Sequence, residues 1–336
     1  MVKMMKLMFL MVMVLGTFIS ISSYSWINIW IGLEMNFLAF VPLINMDNYK
    51  QSSETSMKYF FVQVSASMFV MISFLYSMYL NNYIESMNNI NNFIFNCAIL
   101  MKMGAAPFHI WYPELVEGMS WFNNLLMLTW QKIAPMILIM YNFSMNSYFM
   151  IIILISMTVS GLKMWNQTSI KKILALSSIN HMGWMMSMMF LNQSIWILYF
   201  CVYILITFNL VLVLMKFNIN NIYELFSLMN LNKSTKFFFF FNLFSLGGIP
   251  PFLGFFPKWM VLKILMENEM YLLAFLMIFF TLLSLFIYIR IIIQPLIFKI
   301  SEKKVSIKYS NSYFINFMNF FNISGLICFT LMYSMY

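Results

Sequence analysis

The sequence predicts an all-α, polytopic transmembrane helical bundle of about eleven helices, and three observations predict it. Of 336 residues, 62% are hydrophobic and only 9% charged, where a soluble domain carries about 25% charge. Apolar runs of roughly 20 residues, the length that crosses a bilayer as a helix, recur along the whole chain. Two of these runs are interrupted at matching places by glycine and proline, which are scarce elsewhere, with 10 Gly and 8 Pro in all. A water-soluble core of this size cannot hide so much apolar surface, so the composition demands hydrocarbon as its solvent.

Passes are expected near 3–20, 24–45, 57–80, 92–112, 121–142, 147–164, 171–190, 194–216, 236–266, 270–298 and 312–335. The first lacks a small-residue cleavage site and reads as a pass rather than a removable leader. The lysines test the count. Alternate connections carry Lys3 and Lys6, then Lys50 and Lys58, then Lys163, Lys171 and Lys172, then Lys216, Lys233 and Lys236, then Lys299, Lys303, Lys304 and Lys308. The opposite connections carry no basic residue, only Glu85, Glu267 and Glu269. Eleven passes put every lysine-bearing loop on one side, as the positive-inside rule requires. Glu114 and Glu117 are an acidic exception on that side. The formal charge of +9 is therefore topogenic, and no nucleic-acid partner is needed to explain it. The expected partners are lipid and other membrane chains.

Residue usage adds a setting. The 37 Met and 38 Phe against a single arginine, Arg290, point to a very AT-rich genome of the animal mitochondrial kind. The implied location is the mitochondrial inner membrane, with the N-terminus in the matrix and the C-terminus in the intermembrane space. Cys97, Cys201 and Cys328 lie far apart in apolar runs, which argues against an iron–sulfur cluster or a disulfide framework.

The two interruptions read Gly104-Ala-Ala-Pro107-Phe108-His109-Ile-Trp-Tyr-Pro113 and Gly248-Ile-Pro-Pro251-Phe252-Leu-Gly-Phe-Phe-Pro257, a shared G-x-x-P-F-x4-P at an offset of 144 residues. That offset carries the fourth pass onto the ninth, an odd number of passes away, so corresponding helices run in opposite directions. One membrane domain, 1–336, is thus expected to hold two inverted five-helix repeats, about 1–142 and 147–298, with an extra helix at about 312–335. Proline removes a backbone donor and breaks a helix. Broken backbone at membrane depth persists only inside protein or beside water, and paired breaks in two halves point to a transport site.

Four charges fall deep in passes: Glu34, Lys102, Lys132 and Lys258. A Lys or Asp at the centre of a membrane helix costs about 2.5–3.5 kcal/mol on insertion scales, so each needs a partner, water or a task. Lys132 is too far from either end of its pass to snorkel, and Pro135 loosens the helix beside it. A lysine whose proton affinity is set by hydration and by a neighbouring carboxylate loads and unloads a proton readily, which makes Glu34 the modulator of Lys102 and the lysines a relay. His109, inside the first break, and His181 are weaker candidates, each weighed against a structural hydrogen bond. Two histidines cannot hold the two haems of a cytochrome b core. With no GxGxxG or Walker sequence, nucleotide and flavin binding lack support.

Five stretches together resemble the antiporter-like membrane subunits of respiratory NADH:ubiquinone oxidoreductase (Complex I). They are Trp30-Ile-Gly-Leu-Glu34-Met-Asn36, Lys102 to Trp111, Thr129-Trp-Gln-Lys132-Ile-Ala-Pro135, Ser177-Ser-Ile-Asn-His181-Met-Gly-Trp184, and Leu246 to Trp259. The resemblance implies a core membrane-arm subunit that contributes a proton path coupled to quinone reduction elsewhere. It also implies no cofactor in this chain, with NADH, FMN, iron–sulfur clusters and ubiquinone held by partner subunits. It places Glu34, Lys102, Lys132 and Lys258 at the family's charged positions. Two rival readings are a stand-alone cation/proton antiporter and a structural coupling subunit that moves no proton itself.

Overall fold

The computed structural model describes residues 2–46, 51–80, 85–141, 147–225, 233–297 and Gly325. The expected eleventh pass, 312–335, lies outside the described residues apart from that glycine. Among the described residues the chain is a polytopic helical protein whose only β pairing is an isolated bridge between Ser169 and Asn221. It divides into two compact units, Met1–Met145 and Asn146–Tyr336.

The first unit opens with three long helices, α1 (Val2–Ser22), α2 (Trp26–Asn45) and α3 (Ser52–Leu80). Ser25 caps α2 by accepting from the Asn28 N–H at 3.4 Å, one of the donors a helix start leaves orphaned. Where α1 crosses α2, backbone meets backbone. A Cβ built on Gly16 would lie 2.8 Å from Asn36 N, and one on Gly32 would lie 2.6 Å from Ser20 N. Small residues allow this approach, the device by which membrane helices associate without a hydrophobic drive. The contact fixes the segment of α2 that carries Glu34 and Asn36.

α4 (Glu85–Met103) ends at the first break, residues 104–110, and the chain resumes as α5 (Trp111–Gly118). The next pass is not one helix. It comprises α6 (Trp121–Leu128), a tight 3-10 turn (Trp130–Lys132) and α7 (Ile133–Tyr141). Pro135 has no N–H for the Gln131 carbonyl and its ring crowds that carbonyl. The Thr129 hydroxyl donates to Leu125 O at 2.7 Å, and Lys132 N donates to Thr129 O at 3.3 Å. The helix therefore tightens for one turn, and Lys132 is the last residue of that turn.

The second unit begins with α8 (Ser147–Met164), α9 (Ile170–Met189) and α10 (Gln193–Phe217). α9 is buried along its length, Lys172 excepted, although it carries Lys171, Ser177, Ser178, Asn180, His181 and Ser187. Its serines satisfy their hydroxyls on carbonyls three residues back, and Asn180 donates to Ser284 Oγ at 3.0 Å. Gly183 seats it on α8, where a Cβ would come within 2.8 Å of Met157 Cγ. α11 (Lys233–Gly247) leads to the second break, residues 248–254, followed by α12 (Phe255–Glu267) and α13 (Tyr271–Ile297).

Among the described residues, six spans, within α1, α2, α3, α8, α10 and α13, are apolar and long enough by themselves to cross a membrane. The other four expected passes within the described residues are the two broken ones, the one split at Lys132, and α9. They escape a test of length and hydropathy for physical reasons: three are cut into pieces, and the fourth faces protein rather than lipid.

The crossing of α1 and α2 predicts a split between glycines. Replacing Gly32 by valine forces side-chain atoms into backbone that cannot move aside, a clash of the overpacking kind that costs about 1–3 kcal/mol or more. The yield of folded, membrane-inserted protein should fall severalfold. Gly161→Ala is the control, since its Cβ would meet nothing closer than 3.6 Å, and its yield should match that of the natural chain.

Candidate functional site

The two breaks share one backbone course. α4 ends at Met103 and α11 at Gly247; the next residues, Gly104 and Gly248, have φ of 71° and 77°. Cis peptide bonds precede Pro107 and Pro251, and the helices resume at Trp111 and Phe255. Every one of these landmarks is displaced by the 144 residues read from the motif. The left-handed φ explains the glycine in each case, since a side chain there is strained. Gly247, just before the second glycine of the pair, is still helical and is the last residue of α11.

What fills the space above each glycine differs. Over Gly104 a Cβ would meet the Tyr112 ring, at 2.9 Å from its Cβ; over Gly248 it would meet the Lys258 chain, at 2.9 Å from Nζ. Lys258, 8% exposed, donates to Gly247 O at 2.8 Å and stands 5.9 Å from the centre of a Trp184 ring. Its charge thus sits on the carbonyl end of α11, where the helix dipole is negative, and against an aromatic face.

Lys132, 1% exposed, stands 5.4 Å from the centre of the Tyr112 ring, so the first break also has an ammonium beside it, one side chain removed. Lys102 lies in the last turn of α4 and is 6% exposed. Its Nζ meets no hydrogen-bond acceptor among the described residues. Glu34, half-buried on α2, interacts electrostatically with Lys102 and with Tyr59, and its Oε1 is buried without a hydrogen bond. The pairing expected for Glu34 and Lys102 is therefore a proximity of charges, not a closed ion pair.

His109 points Nδ1 at Pro107 O across 3.1 Å, a contact inside the first break. His181 places Nδ1 2.9 Å from the Tyr199 hydroxyl. Glu34, Lys102, Lys132 and His109 belong to the first unit, Lys258 and His181 to the second. Two outcomes on the charged loops stand out. Lys171, read as a loop lysine, is only 3% exposed in the first turn of α9. Glu114, the acidic exception, stands 3.6 Å from Lys58, which also pairs with Glu54 at 2.8 Å.

Sequence reasoning missed the groups around the lysines. Gln63 donates to the Lys102 carbonyl at 3.2 Å, and Gln131 donates to Asn36 Oδ1 at 3.0 Å. Gln63, Asn36 and Gln131 border a cavity of about 20 Å³ together with Lys102, Tyr59 and Pro135. The one available signal was amides at membrane depth beside charged residues, an expense that implies a partner.

Comparison with known proteins agrees with this geometry. The family model described as "NADH:quinone oxidoreductase/Mrp antiporter, TM" matches residues 23–284. The chain is 43% identical to "NADH-ubiquinone oxidoreductase chain 2" of Anopheles gambiae over 97% of both chains. It is 37% identical to the protein of the same name from Locusta migratoria over 96% of both. Its fold superposes on a chain of "Respiratory complex I from Thermus thermophilus with bound Aureothin" with a TM-score of 0.84 at 19% identity, covering 96% of this chain and 76% of that one. A chain of the "Mrp complex from Dietzia sp. DQ12-45-1b" follows with a TM-score of 0.75 at 14% identity, covering 84% and 59%. By the extent of the family match and the identity to those relatives, the chain belongs to the NADH:quinone oxidoreductase/Mrp antiporter transmembrane family, on its NADH-ubiquinone oxidoreductase chain 2 branch.

Proposed function

We propose that this chain is a core membrane-arm subunit of respiratory NADH:ubiquinone oxidoreductase and carries a proton path built from Glu34, Lys102, Lys132 and Lys258. The observation that carries the reading is the burial of three lysines at 6%, 1% and 8% exposure in segments interrupted at membrane depth. Buried ionisable groups of this kind mark ion pathways. In this reading the chain holds no redox centre, and NADH, FMN, iron–sulfur clusters and ubiquinone reside in partner subunits. The chain sits in the mitochondrial inner membrane among neighbouring antiporter-like subunits. The two units are inverted repeats, a reading supported by their in-register breaks.

The chemistry needs little beyond hydration and charge. Lys102, in the last turn of α4, exchanges its proton near the Glu34 carboxylate. Lys132, on the tight turn beside Tyr112, is the middle site. Lys258 is held by a carbonyl and an indole face, so its proton leaves only when that seat is exchanged for water. His109 and His181 have fixed partners at Nδ1, and we assign them supporting roles.

Lys132→Met keeps length and removes a charge that the membrane interior disfavours. The complex should assemble, and the protons moved per electron pair should fall at least severalfold. Lys132→Arg should also fail, because guanidinium holds its proton. A wild-type proton-to-electron ratio in assembled Lys132→Met complex would make this lysine structural and sink the path.

Lys258 should behave differently. Lys258→Met removes the hydrogen bond to Gly247 O, a loss of about 1.5–3 kcal/mol for a charged donor, so stability and pumping should drop together. Lys258→Arg should recover the assembled complex without recovering proton yield, as native gels and proton-to-electron ratios on one preparation will report.

Topology has its own check. A protease tag at the C-terminus should be cut in mitoplasts from the intermembrane-space side, and sites engineered between Lys163 and Lys172 only from the matrix. Cleavage of the C-terminal tag from the matrix alone rules out the proposed orientation.

A further inference from the structure

We propose that Asn36 and Gln131 build a site for one water molecule beside Lys102, which makes Gln131 a positioning residue that ties the turn of Lys132 to the Lys102 ammonium. The inference rests on the reading that the buried lysines carry protons, and adds to it the group that stands between two of them.

Three observations carry it. An ammonium has three N–H donors and no acceptor, yet Lys102 Nζ is buried and meets no acceptor among the described residues. A charge so placed needs hydrogen bonds to persist. Lys102 borders the cavity of about 20 Å³, with Asn36, Tyr59, Gln63, Gln131 and Pro135. One water needs about 10–15 Å³ and two to four polar partners. The volume fits one molecule and not a chain of them, and the wall is polar enough to bind it. Third, the amide of Gln131 is not free to wander. Its Nε2 donates to Asn36 Oδ1 at 3.0 Å, and the pair keeps further polar capacity in the Gln131 carbonyl oxygen and second N–H, the Asn36 N–H groups and the second lone pair of Asn36 Oδ1.

The connection matters because of where these residues sit. Asn36 lies two residues beyond Glu34 on α2, itself held by the close crossing at Gly16 and Gly32. Gln131 immediately precedes Lys132 on the 3-10 turn, and Pro135, the residue that forces that turn, also borders the cavity. The amide pair therefore bolts the turn of Lys132 to the helix of Glu34. A water between that pair and Lys102 Nζ accepts from the ammonium and donates onward to an amide oxygen. Loss of the pair frees the turn and removes the water's acceptor in one step.

The test uses the intact complex. A density map at a resolution that shows ordered water should place one water within hydrogen-bond distance of Lys102 Nζ and of Asn36 or Gln131. In Gln131→Met, of similar length and without the amide, that water should be lost and the proton yield per electron pair should fall more than threefold. Gln131→Asn retains an amide and leaves room for water, and should recover at least half of the yield, a rescue that a filler of space would not show. No water beside Lys102 in the natural complex overturns the site, also if Gln131→Met fails to assemble. So does a wild-type yield in Gln131→Met. Lys132→Met measured in parallel separates the two ideas: if it loses proton yield and Gln131→Met does not, only the water site fails, whereas wild-type yield in Lys132→Met removes the proton path itself.

Discussion

Everything in this chain depends on one constraint: a carbonyl, amide or ammonium at membrane depth must find its hydrogen bonds inside the protein. Each break frees backbone groups that a continuous helix would have paired, in a medium with no water to take them. The ends of α4 and α11 answer in the same way. Gly104 donates back to Met101 O and Ala105 to Leu100 O; Gly248 donates back to both Phe244 O and Ser245 O, and Ile249 to Phe244 O. Two further carbonyls draw on side chains, Lys102 O on Gln63 and Gly247 O on Lys258. Satisfying the backbone and burying the charge are thus one operation at the second break and two at the first. That difference separates Lys258, whose ammonium serves the fold, from Lys102, whose ammonium is buried without an acceptor among the described residues.

The same constraint orders the rest of the architecture. A polar helix such as α9 is affordable only when wrapped on every side, and α8, α10 and α13 are among its neighbours. The helices around such interiors can be the long, plain, apolar ones, and six spans of that kind are present. Close approach of α1 to α2, and of α8 to α9, relies on glycines without room for a methyl group. Aromatic rings do the filling beside the charges: Tyr112 under Lys132 and Trp184 under Lys258.

Much of this was legible before any coordinates. Apolar run length fixed most passes to within a few residues, because a helix in lipid has one length to match. The breaks were legible because only Gly and Pro produce them, and their register of 144 residues held through every backbone landmark. The split at Lys132 was only half legible: Pro135 announced a loosening, but whether a turn tightens to 3-10 or opens depends on the Thr129 hydroxyl and on neighbours that sequence does not reveal. Lys171 misled because a lysine next to Lys172 at a helix start looks solvated, and its burial is decided by the other helices of its unit. Asn36, Gln63 and Gln131 were passed over for the same reason. An amide declares nothing about its partner until the partner, 95 residues away for Asn36 and Gln131, is brought beside it.

The glycines carry a consequence for how such a chain can drift. Its composition leans far toward Met, Phe, Ile and Asn, and glycine holds only 10 positions in 336. Gly16, Gly32 and Gly183 have no space for a side chain, and Gly104 and Gly248 hold backbone angles that side chains resist. Substitution meets a wall at these positions, while Gly161 and Gly247, with ordinary contacts around a built Cβ, leave room for alanine. The glycines thus sort by geometry: most stand where a side chain has no room or the backbone angle resists one, and Gly161 and Gly247 do not.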